Sequence, residues 1–338
     1  MNTDIVQILK ENLRQRKQNI AEFLKKTPAS TVSTRIGPNK TEEVNKQLHL
    51  FDQLLAKAEE NTLGHCDICH EPVETARLEM DYKACVCLSH LTGEERSRLE
   101  NDLELSQKVQ QALLPHTTPS INGLDIAAFS QPARIVGGDY FDFLHFVDGA
   151  HAIAIADVMG KGMPASMLMS NLQASLRIIT PENRSPKEVI ERLNNIFCRN
   201  IRLTKFVTVF LARFDEATRV LTYCNAGHNQ PLVRHADGSL EWLQPTGAAI
   251  GLIEQSTFRE KSVMLERGAQ LLLYTDGVVE SFNTQEEMFG EERLANFVTA
   301  SSGIPSLQLI TNLRETLHNF SQADTARDDT TIIAIGSV

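Results

Sequence analysis

The chain has 338 residues, of which 42% are apolar and 22% are charged, and this composition excludes a wholly disordered protein. Its formal net charge of −10 excludes a whole-molecule basic field of the kind that binds nucleic acid. No apolar run approaches the roughly 18 residues of a membrane span, and the charged N-terminus lacks a signal-peptide core. We therefore expect a cytoplasmic protein of two folded units, with no membrane or nucleic-acid partner.

Two helix patterns occupy residues 1–60. The first is an apolar stripe at helical spacing, formed by Val6, Leu9, Leu13, Ile20 and Leu24. A loop rich in Pro, Gly, Ser and Thr over residues 27–39 separates it from a second helix at about residues 42–60. The pattern predicts a helical hairpin, which is either a small bundle packed on itself or a pair that binds a partner.

Cysteine and histidine residues cluster after this hairpin. Cys66 and Cys69 form a C-x2-C knuckle, and Cys87 and His90 form a C-x2-H knuckle. Zinc prefers four such ligands in a tetrahedron, and in a reducing compartment a cluster of this kind more often holds a metal than forms disulfides. We therefore expect one Zn²⁺. Cys85 is an alternative to either member of the second knuckle, and His65 and His70, which flank the first knuckle, are further alternatives.

Residues 64–90 resemble the DksA/TraR-type zinc finger. The shared features are the C-x2-C knuckle, the run Arg77-Leu78-Glu79, the second knuckle and the preceding hairpin. His90 stands where that family usually has cysteine. Some members act on RNA polymerase through acidic residues at a coiled-coil tip, whereas the corresponding loop here has no Asp or Glu. The resemblance thus implies the zinc ligands alone, and residues 1–92 are predicted to form a helical, zinc-binding regulatory domain.

A third helix is predicted over residues 94–114. It ends before Pro115, and acidic residues at its start suit the positive end of the helix dipole. We interpret residues 93–115 as a linker, which is either a solvated spacer or a signalling helix that pairs with a second copy of the chain. The second interpretation predicts a homodimer.

The pattern changes at Gly123, where short runs rich in β-branched residues begin. These runs are LDIAAF, AHAIAIAD, FVTVFLARFD, RVLTYCNAG, QLLLYTD and TTIIAIG, with helical stretches near 163–178, 186–200 and 305–320. Short turns at Asp148-Gly149 and Glu216-Ala217 favour antiparallel hairpins. The pattern predicts a layered α+β fold and not a regular βαβ alternation.

Four aspartates end strands or lie in Gly-rich turns, namely Asp139, Asp157, Asp276 and Asp328. A carboxylate at the end of a buried strand is costly unless it meets a cation, and Mg²⁺ or Mn²⁺ prefers such oxygen ligands. Two ions held in this way activate a water for in-line displacement at phosphorus. Each motif alone is weak, because Asp-Gly is usually a turn, but their combination and order are specific.

Seven motifs in order carry a second resemblance: VQQALLP, VGGDYFD, IADVMGKGMPASM, NAGHNQP, PTGAAIGL, LLLYTDGVVE and RDDTT. The region from about residue 108 to 338 resembles the PPM metal-dependent Ser/Thr protein phosphatases, in the bacterial branch of SpoIIE-like and stress-response sigma-factor regulators. The resemblance implies that residues 116–338 form a four-layer α/β/β/α sandwich, with a two-metal centre between two antiparallel sheets.

The resemblance also implies roles for individual residues. Asp157 would bridge two Mn²⁺ or Mg²⁺ ions, the Val158 carbonyl would bind one of them, and Asp139, Asp276 and Asp328 would complete the ligand set. Asp329 is expected to lie outside that set, and Asp142 is a further candidate ligand.

Two positions bear on phosphate binding and proton transfer. Arg134 has the spacing of a phosphate-binding arginine in eukaryotic relatives, and its alternative role is a surface salt bridge. Met159 stands where those relatives carry a histidine thought to protonate the leaving group. His228, in a Gly/Asn turn, either donates that proton or fixes its loop by hydrogen bonds, and we favour the second role.

These expectations combine into a phosphoprotein phosphatase that hydrolyses phosphoserine or phosphothreonine without a phosphoenzyme. By resemblance, the substrate would be a phosphorylated anti-sigma-factor antagonist in a bacterial partner-switching pathway, and the zinc-bearing domain would regulate the activity. The alternative is a non-catalytic regulator that binds the transcription machinery through its N-terminal domain. The intact set of four aspartates favours the enzyme.

Overall fold

The computed structural model of the protein describes residues 10, 11, 13–15, 17, 18, 22, 40–74, 77, 78, 84–200, 206–322 and 327–338. The chain divides into two units, Met1–Asp102 and Leu103–Val338. Among the described helices, none is long and apolar enough to cross a lipid bilayer.

The first unit contains helix α1, Lys40–Glu59, close to the predicted bounds of 42–60. Its apolar face joins a small core formed by Leu13, Phe51, Leu54, Ala58 and Leu63. Leu13 belongs to the predicted first helix and is helical and buried. The other four residues of that stripe, and the predicted loop over 27–39, lie outside the described residues.

Helix α2, Gly93–Leu113, begins with a capping box and stops just before Pro115. The Glu95 carboxylate accepts hydrogen bonds from the Thr92 N–H at 3.0 Å and the Thr92 hydroxyl at 2.8 Å, while the Glu95 N–H donates to the Thr92 hydroxyl oxygen. The predicted helix over 94–114 is confirmed. The predicted division into residues 1–92, 93–115 and 116–338 stays a prediction, and the boundary between the two units falls inside α2.

Two five-stranded sheets form the centre of the second unit. The strands are β1 Leu124–Gln131, β2 Tyr140–His145, β3 His151–Val158, β4 Val207–Asp215, β5 Val220–Ala226, β6 Leu232–Arg234, β7 Leu240–Trp242, β8 Lys261–Met264, β9 Gln270–Tyr274 and β10 Thr330–Ser337. One sheet has the order β1-β10-β9-β6-β7 and the other β2-β3-β4-β5-β8, with antiparallel neighbours throughout. The hairpins predicted at Asp148-Gly149 and Glu216-Ala217 are confirmed as β2–β3 and β4–β5.

Within residues 103–200, 206–322 and 327–338, five α-helices accompany these sheets: α3 Met163–Ile179, α4 Pro186–Asn200, α5 Asp276–Val279, α6 Gly290–Ala300 and α7 Ser306–Ser321. Three of them match the helical stretches predicted near 163–178, 186–200 and 305–320. Helices α5 and α6 were not predicted, because α5 is a single turn and α6 buries only Leu294 and Val298. Strand β2 was predicted only as the first arm of the Asp148-Gly149 hairpin, and β6, β7 and β8, which have three or four residues each, were not predicted.

Alternation along β3 shows how the layers form. Ala152, Ala154 and Ala156 belong to the core that packs against α3 and α4, whereas Ile153 and Ile155 belong to the core between the two sheets. A third core joins the other sheet to α5, α6 and α7. The second unit is therefore an α/β/β/α sandwich, and the predicted α+β fold with two antiparallel sheets is confirmed.

We expect truncation of Leu211 to destabilise this sandwich. Leu211 lies on β4, the middle strand of its sheet, and is fully buried against the α3 and α4 layer. Leu211→Ala should lower the free energy of unfolding by about 2–5 kcal/mol. Trp242, the only tryptophan of the chain, lies on β7, so its fluorescence reports the unfolding of the second unit.

The matched control is Val147→Ala, because the Val147 side chain is 52% exposed. Its effect should stay below about 0.5 kcal/mol. Equal denaturation midpoints for the two variants would contradict the assignment of Leu211 to the core.

Candidate functional site

Strand register brings two of the predicted aspartates side by side. Tyr140 on β2 pairs with Ala156 on β3, so the same register places Asp139 beside Asp157. Side chains directly opposite on neighbouring strands have Cβ atoms about 4.5–5.5 Å apart. By the two-residue period, Asp157 shares the inter-sheet side of β3 with Ile155. Both carboxylates therefore lie between the two sheets.

The facing sheet anchors Asp139 through two threonines. Thr275 follows β9, and its hydroxyl donates a hydrogen bond to Asp139 Oδ2 at 2.7 Å. The same hydroxyl oxygen accepts the N–H of Thr331 on β10 at 2.9 Å. The other oxygen, Asp139 Oδ1, is buried and has no hydrogen-bond partner among the described residues. Thr275 also directly precedes Asp276, so this contact brings a third aspartate to the site.

The carboxylates of this group oppose each other's ionisation. Burial, together with the nearby charge of Asp157, raises the pKa of Asp139 well above its usual range. Burial and repulsion from Asp276 and Asp328 raise the pKa of Asp157 to about 7. Burial and repulsion from Asp328 raise the pKa of Asp276 to about 6. Positive charge placed among these oxygens would offset all three shifts, because it favours the ionised carboxylates.

The donor set fits hard divalent cations. Carboxylate oxygens converge from four chain segments, and the Val158 carbonyl lies at the same place, because a Cβ added to Gly138 would be 2.8 Å from its oxygen. Mg²⁺ and Mn²⁺ prefer such oxygen ligands. The oxygen atoms of this group are therefore of the type that these two cations bind.

Two cationic side chains lie at the Gly160–Gly162 turn that follows Asp157. The Lys161 ammonium donates to Asp328 Oδ2 at 2.6 Å and to the Arg327 carbonyl at 2.8 Å. Arg134 is exposed, and its Nη1 lies 3.9 Å from where a Cβ on Gly162 would be. Asp328 is thus paired with Lys161, and Arg134 lies beside the turn that follows Asp157.

Asp329 holds the backbone of the loop before β2. Its Oδ1 accepts the Ala133 N–H at 2.8 Å, and its Oδ2 accepts the Gly138 N–H at 2.6 Å. A Cβ added to Gly137 would lie 2.4 Å from Asp329 Oδ2, so only glycine fits there. Both oxygens are engaged by backbone donors, in keeping with the expectation that Asp329 is not a ligand.

The sequence-based suggestion that Asp142 is a further ligand is wrong. Asp142 lies one residue out of phase with Asp139 along the strand, on the side that faces α3. Its Oδ2 accepts hydrogen bonds from the Tyr140 hydroxyl at 2.5 Å and from Arg177 Nε at 2.8 Å. The carboxylate is thereby neutralised by Arg177 and is directed away from the inter-sheet site.

His228 fixes its loop. Its backbone N–H donates to Asn225 Oδ1 at 2.8 Å, and its Nδ1 lies 2.8 Å from the Thr208 hydroxyl. Burial lowers the pKa of the ring to about 3, so the imidazole is neutral at physiological pH. A neutral ring engaged in this way is a poor proton donor, which favours the loop-fixing role.

Gln110 was not singled out from the sequence, although it lies in the VQQALLP motif. Its buried amide makes two hydrogen bonds to Gly137: Nε2 donates to the carbonyl at 2.6 Å, and Oε1 accepts the N–H at 3.0 Å. Helix α2 therefore holds the backbone two residues before Asp139. Thr275 was missed as well, and its position directly before Asp276 was the available signal.

A second group of metal-ligating atoms lies in the first unit. The Sγ atoms of Cys66, Cys69 and Cys87 and a ring nitrogen of His90 all lie within 4.8 Å of one another. Cys87 Sγ is 3.1 Å from His90 Nδ1, and Cys69 Sγ is 3.8 Å from Cys87 Sγ. Burial opposes ionisation of the Cys66 thiol, but backbone hydrogen bonds outweigh it and lower the pKa to about 6. These four groups suit zinc, which binds thiolates and imidazole.

Cys85 does not belong to this group. Burial and a hydrogen bond to Asp67 raise the pKa of its thiol, which disfavours the thiolate that zinc requires. Among the alternatives left open by the sequence, the geometry therefore favours Cys87 and His90 over Cys85, His65 and His70.

The second unit contains the region that matches a known protein family. A family model described as Stage II sporulation protein E (SpoIIE) matches residues 147–337. The chain is 29% identical over 266 residues to Protein IcfG of Synechocystis sp., covering 71% of this chain and 42% of that protein. It is 27% identical over 241 residues to Phosphoserine phosphatase RsbU of Bacillus subtilis, covering 71% of each chain. The chain thus spans less than half the length of IcfG.

The fold is similar to that of the SiaA-PP2C domain of Pseudomonas aeruginosa. The TM-score is 0.63 at 20% sequence identity, and the match covers 72% of this chain and 98% of that domain. At this level of identity the likeness concerns the fold, and it agrees with the two antiparallel sheets and flanking helices described above.

The raised pKa values predict that the carboxylate group lowers the stability of the folded protein by an amount that depends on pH. An aspartate whose pKa rises from about 3.9 unfolded to about 7 folded costs stability increasingly between those pH values. In EDTA, Asp157→Asn should therefore unfold at a higher temperature than the parent protein at pH 8. The gain should be roughly 2–8 °C, and it should shrink as the pH falls towards 4.

Asp148→Asn is the matched control, because Arg213 lowers the pKa of the exposed Asp148 carboxyl and the pair is lost in that variant. It should give no gain at pH 8. Trp242 fluorescence follows both variants. A melting temperature of Asp157→Asn at or below that of the parent at pH 8 would show that Asp157 is not under electrostatic strain.

Proposed function

Because the chain belongs to the SpoIIE family and its second unit is a PPM-type serine/threonine phosphatase domain, we propose that the whole protein hydrolyses phosphoserine or phosphothreonine in a protein substrate with the help of two Mn²⁺ or Mg²⁺ ions. The observation that carries the proposal is the buried carboxylate group between the sheets. Asp139 has an unpartnered oxygen, and the pKa values of Asp139, Asp157 and Asp276 are raised together. Bound cations would offset the cost of ionising such a group.

We assign the ligands accordingly. Asp157 is coupled to Asp139, Asp276 and Asp328, so it is the carboxylate best placed to be shared between two ions. Asp139, Asp276, Asp328 and the Val158 carbonyl complete the proposed set. When bound, the ions supply positive charge that lowers the pKa of a water and offsets the charge of the phosphoryl oxygens.

The cationic residues of the turn would orient the phosphate group. The Lys161 ammonium already lies against Asp328, and Arg134 stands beside Gly162. An arginine fork matches the oxygens of a phosphate dianion, whereas lysine acts as a compact point charge. We propose that both bind the substrate phosphate. His228 has no part in proton transfer, because it is buried and neutral.

The substrate that we propose is a phosphorylated anti-sigma-factor antagonist, in a partner-switching pathway. The support is the membership of the SpoIIE family together with the similarity to RsbU, whose name describes a phosphoserine phosphatase.

We propose further that the zinc-bearing first unit regulates this activity through α2. The helix begins shortly after His90, and near its other end Gln110 holds Gly137 by two hydrogen bonds. A displacement of α2 would thus reach the backbone next to Asp139. On the same helix, Leu105 and Val109 are 61% and 54% exposed and lie four residues apart, which supports pairing with a second copy in a homodimer.

Removal of the shared carboxylate tests the catalytic proposal. Asp157→Asn should lower Mn²⁺-dependent hydrolysis of an aryl phosphate by about a thousandfold or more, because the neutral amide cannot balance two cations. The measurement is kcat/KM over a Mn²⁺ titration. Asp148→Asn, an exposed change on the β2–β3 turn, should retain the parent activity. Unchanged turnover in Asp157→Asn would overturn the ligand assignment.

Metal analysis tests the zinc site. The purified protein should contain one zinc per chain, and Cys87→Ser should lose it because a thiolate ligand is removed. Cys198→Ser, which changes a cysteine of α4, should retain the zinc. Cys85→Ser should also retain it. Loss of zinc in Cys85→Ser but not in a His90→Ala variant would show that Cys85 completes the site instead.

A further inference from the structure

A groove in the second unit adjoins the candidate metal centre. Its volume is about 620 Å³, within the range of pockets that bind ligands, and its lining includes Asp328 of the centre and Gly277, which directly follows Asp276. From there the lining passes to the loop after α5, to Phe129 on β1 and to Arg314 on α7. The groove is therefore continuous with the place where a phosphate would be held.

Arg314 is the feature that marks this groove as a recognition surface. Its guanidinium carbon lies 3.8 Å from the centroid of the Phe129 ring. The Arg314 side chain is exposed on α7. Within the described residues it has no hydrogen bond and no ion pair. Stacking on an aromatic ring orients the guanidinium plane and leaves its N–H groups directed outward. Arg314 is thus oriented, and its hydrogen-bond donors remain available to an anion.

The other arginine of the groove is already committed. Arg327 donates two hydrogen bonds to the Glu286 carboxylate, at 2.8 and 2.9 Å, and lies over the Phe282 ring. This pair ties the loop that carries Phe282 to the residue directly before Asp328. Arg327 therefore helps to form the groove, and Arg314 is the arginine of the groove lining whose N–H groups can donate to a carboxylate of another molecule.

We propose that this groove binds the polypeptide segment flanking the phosphorylated residue of the substrate, and that Arg314 selects an acidic residue in that segment. The proposal rests on the proposed phosphatase function and deepens it, because it names a specificity residue outside the carboxylate group. Two acidic side chains, Glu280 and Glu315, also line the groove. These two side chains repel a substrate carboxylate elsewhere in the groove. We therefore expect such a carboxylate to bind at Arg314 specifically.

Charge-swapped peptides test this selection. The probes are short synthetic peptides with a central phosphoserine flanked on both sides by Glu, by Ala or by Lys, together with p-nitrophenyl phosphate, which has no flanking segment. Wild-type full-length protein with Mn²⁺ should show a kcat/KM about fivefold higher for the Glu peptide than for the Ala peptide. The ratio should fall to about one in Arg314→Gln, and Arg314→Glu should prefer the Lys peptide.

The controls separate docking from catalysis. Hydrolysis of p-nitrophenyl phosphate should be the same in both Arg314 variants and in the parent, because Arg314 does not touch the carboxylate group. Arg184→Gln removes an exposed arginine near the start of α4 and outside the groove lining, and it should keep the parent preference for the Glu peptide. Thermal unfolding followed by Trp242 fluorescence confirms that each variant is folded.

Several results would overturn the proposal. Equal kcat/KM for the three peptides in the parent, or a Glu preference that survives in Arg314→Gln, would show that Arg314 selects nothing. An equal loss on p-nitrophenyl phosphate and peptides would show that Arg314 acts on the catalytic centre and not on docking. If the parent protein hydrolysed none of the four probes, the phosphatase function itself would be overturned, and the docking proposal with it.

Discussion

Mutual repulsion among buried carboxylates is the constraint on which the second unit depends. Asp139 and Asp157 come from neighbouring strands of one sheet, while Asp276 and Asp328 come from segments next to strands of the other. The raised pKa values of Asp139, Asp157 and Asp276 express the cost of bringing these groups together away from water. A fold that keeps such a cost in place must recover stability elsewhere, and a cation bound among the ionised groups would offset their repulsion.

The three hydrophobic cores supply that stability, and they also determine where the charges can lie. The core between the sheets is made by residues at alternate positions, such as Ile153 and Ile155 on β3. Continuing the same alternation by one step delivers Asp157 to the rim of that core. Asp142, one step out of phase with Asp139 on β2, instead meets Arg177 on the outer face. Packing and chemistry thus follow from a single periodicity, since the register that fills the core also selects which aspartates converge.

Local pattern was sufficient for much of the fold. Strands β1, β3, β4, β5, β9 and β10 follow runs of β-branched and apolar residues, and α3, α4 and α7 are amphipathic over several turns. Elements of three or four residues carried too little signal, as β6 and β8 show. Candidate site residues emerged because their motifs occur in a recognisable order. The contacts that orient these residues could not be predicted from local pattern, because they join distant parts of the chain. The hydrogen bond from the Thr275 hydroxyl to Asp139, for example, joins residues 136 positions apart.

The loop Gly137-Gly138 shows why such long-range partners matter. Its backbone is held from one side by Gln110 on α2 and from the other by Asp329 next to β10. The space between these partners is so small that a Cβ on Gly137 would overlap the Asp329 carboxylate, and one on Gly138 would crowd the Val158 carbonyl. Asp139 follows directly, so its position is set by two clamps distant in sequence and not by its own strand alone. The geometry of the carboxylate group is therefore a property of the whole sandwich, and a change in either clamp alters the first carboxylate of the group.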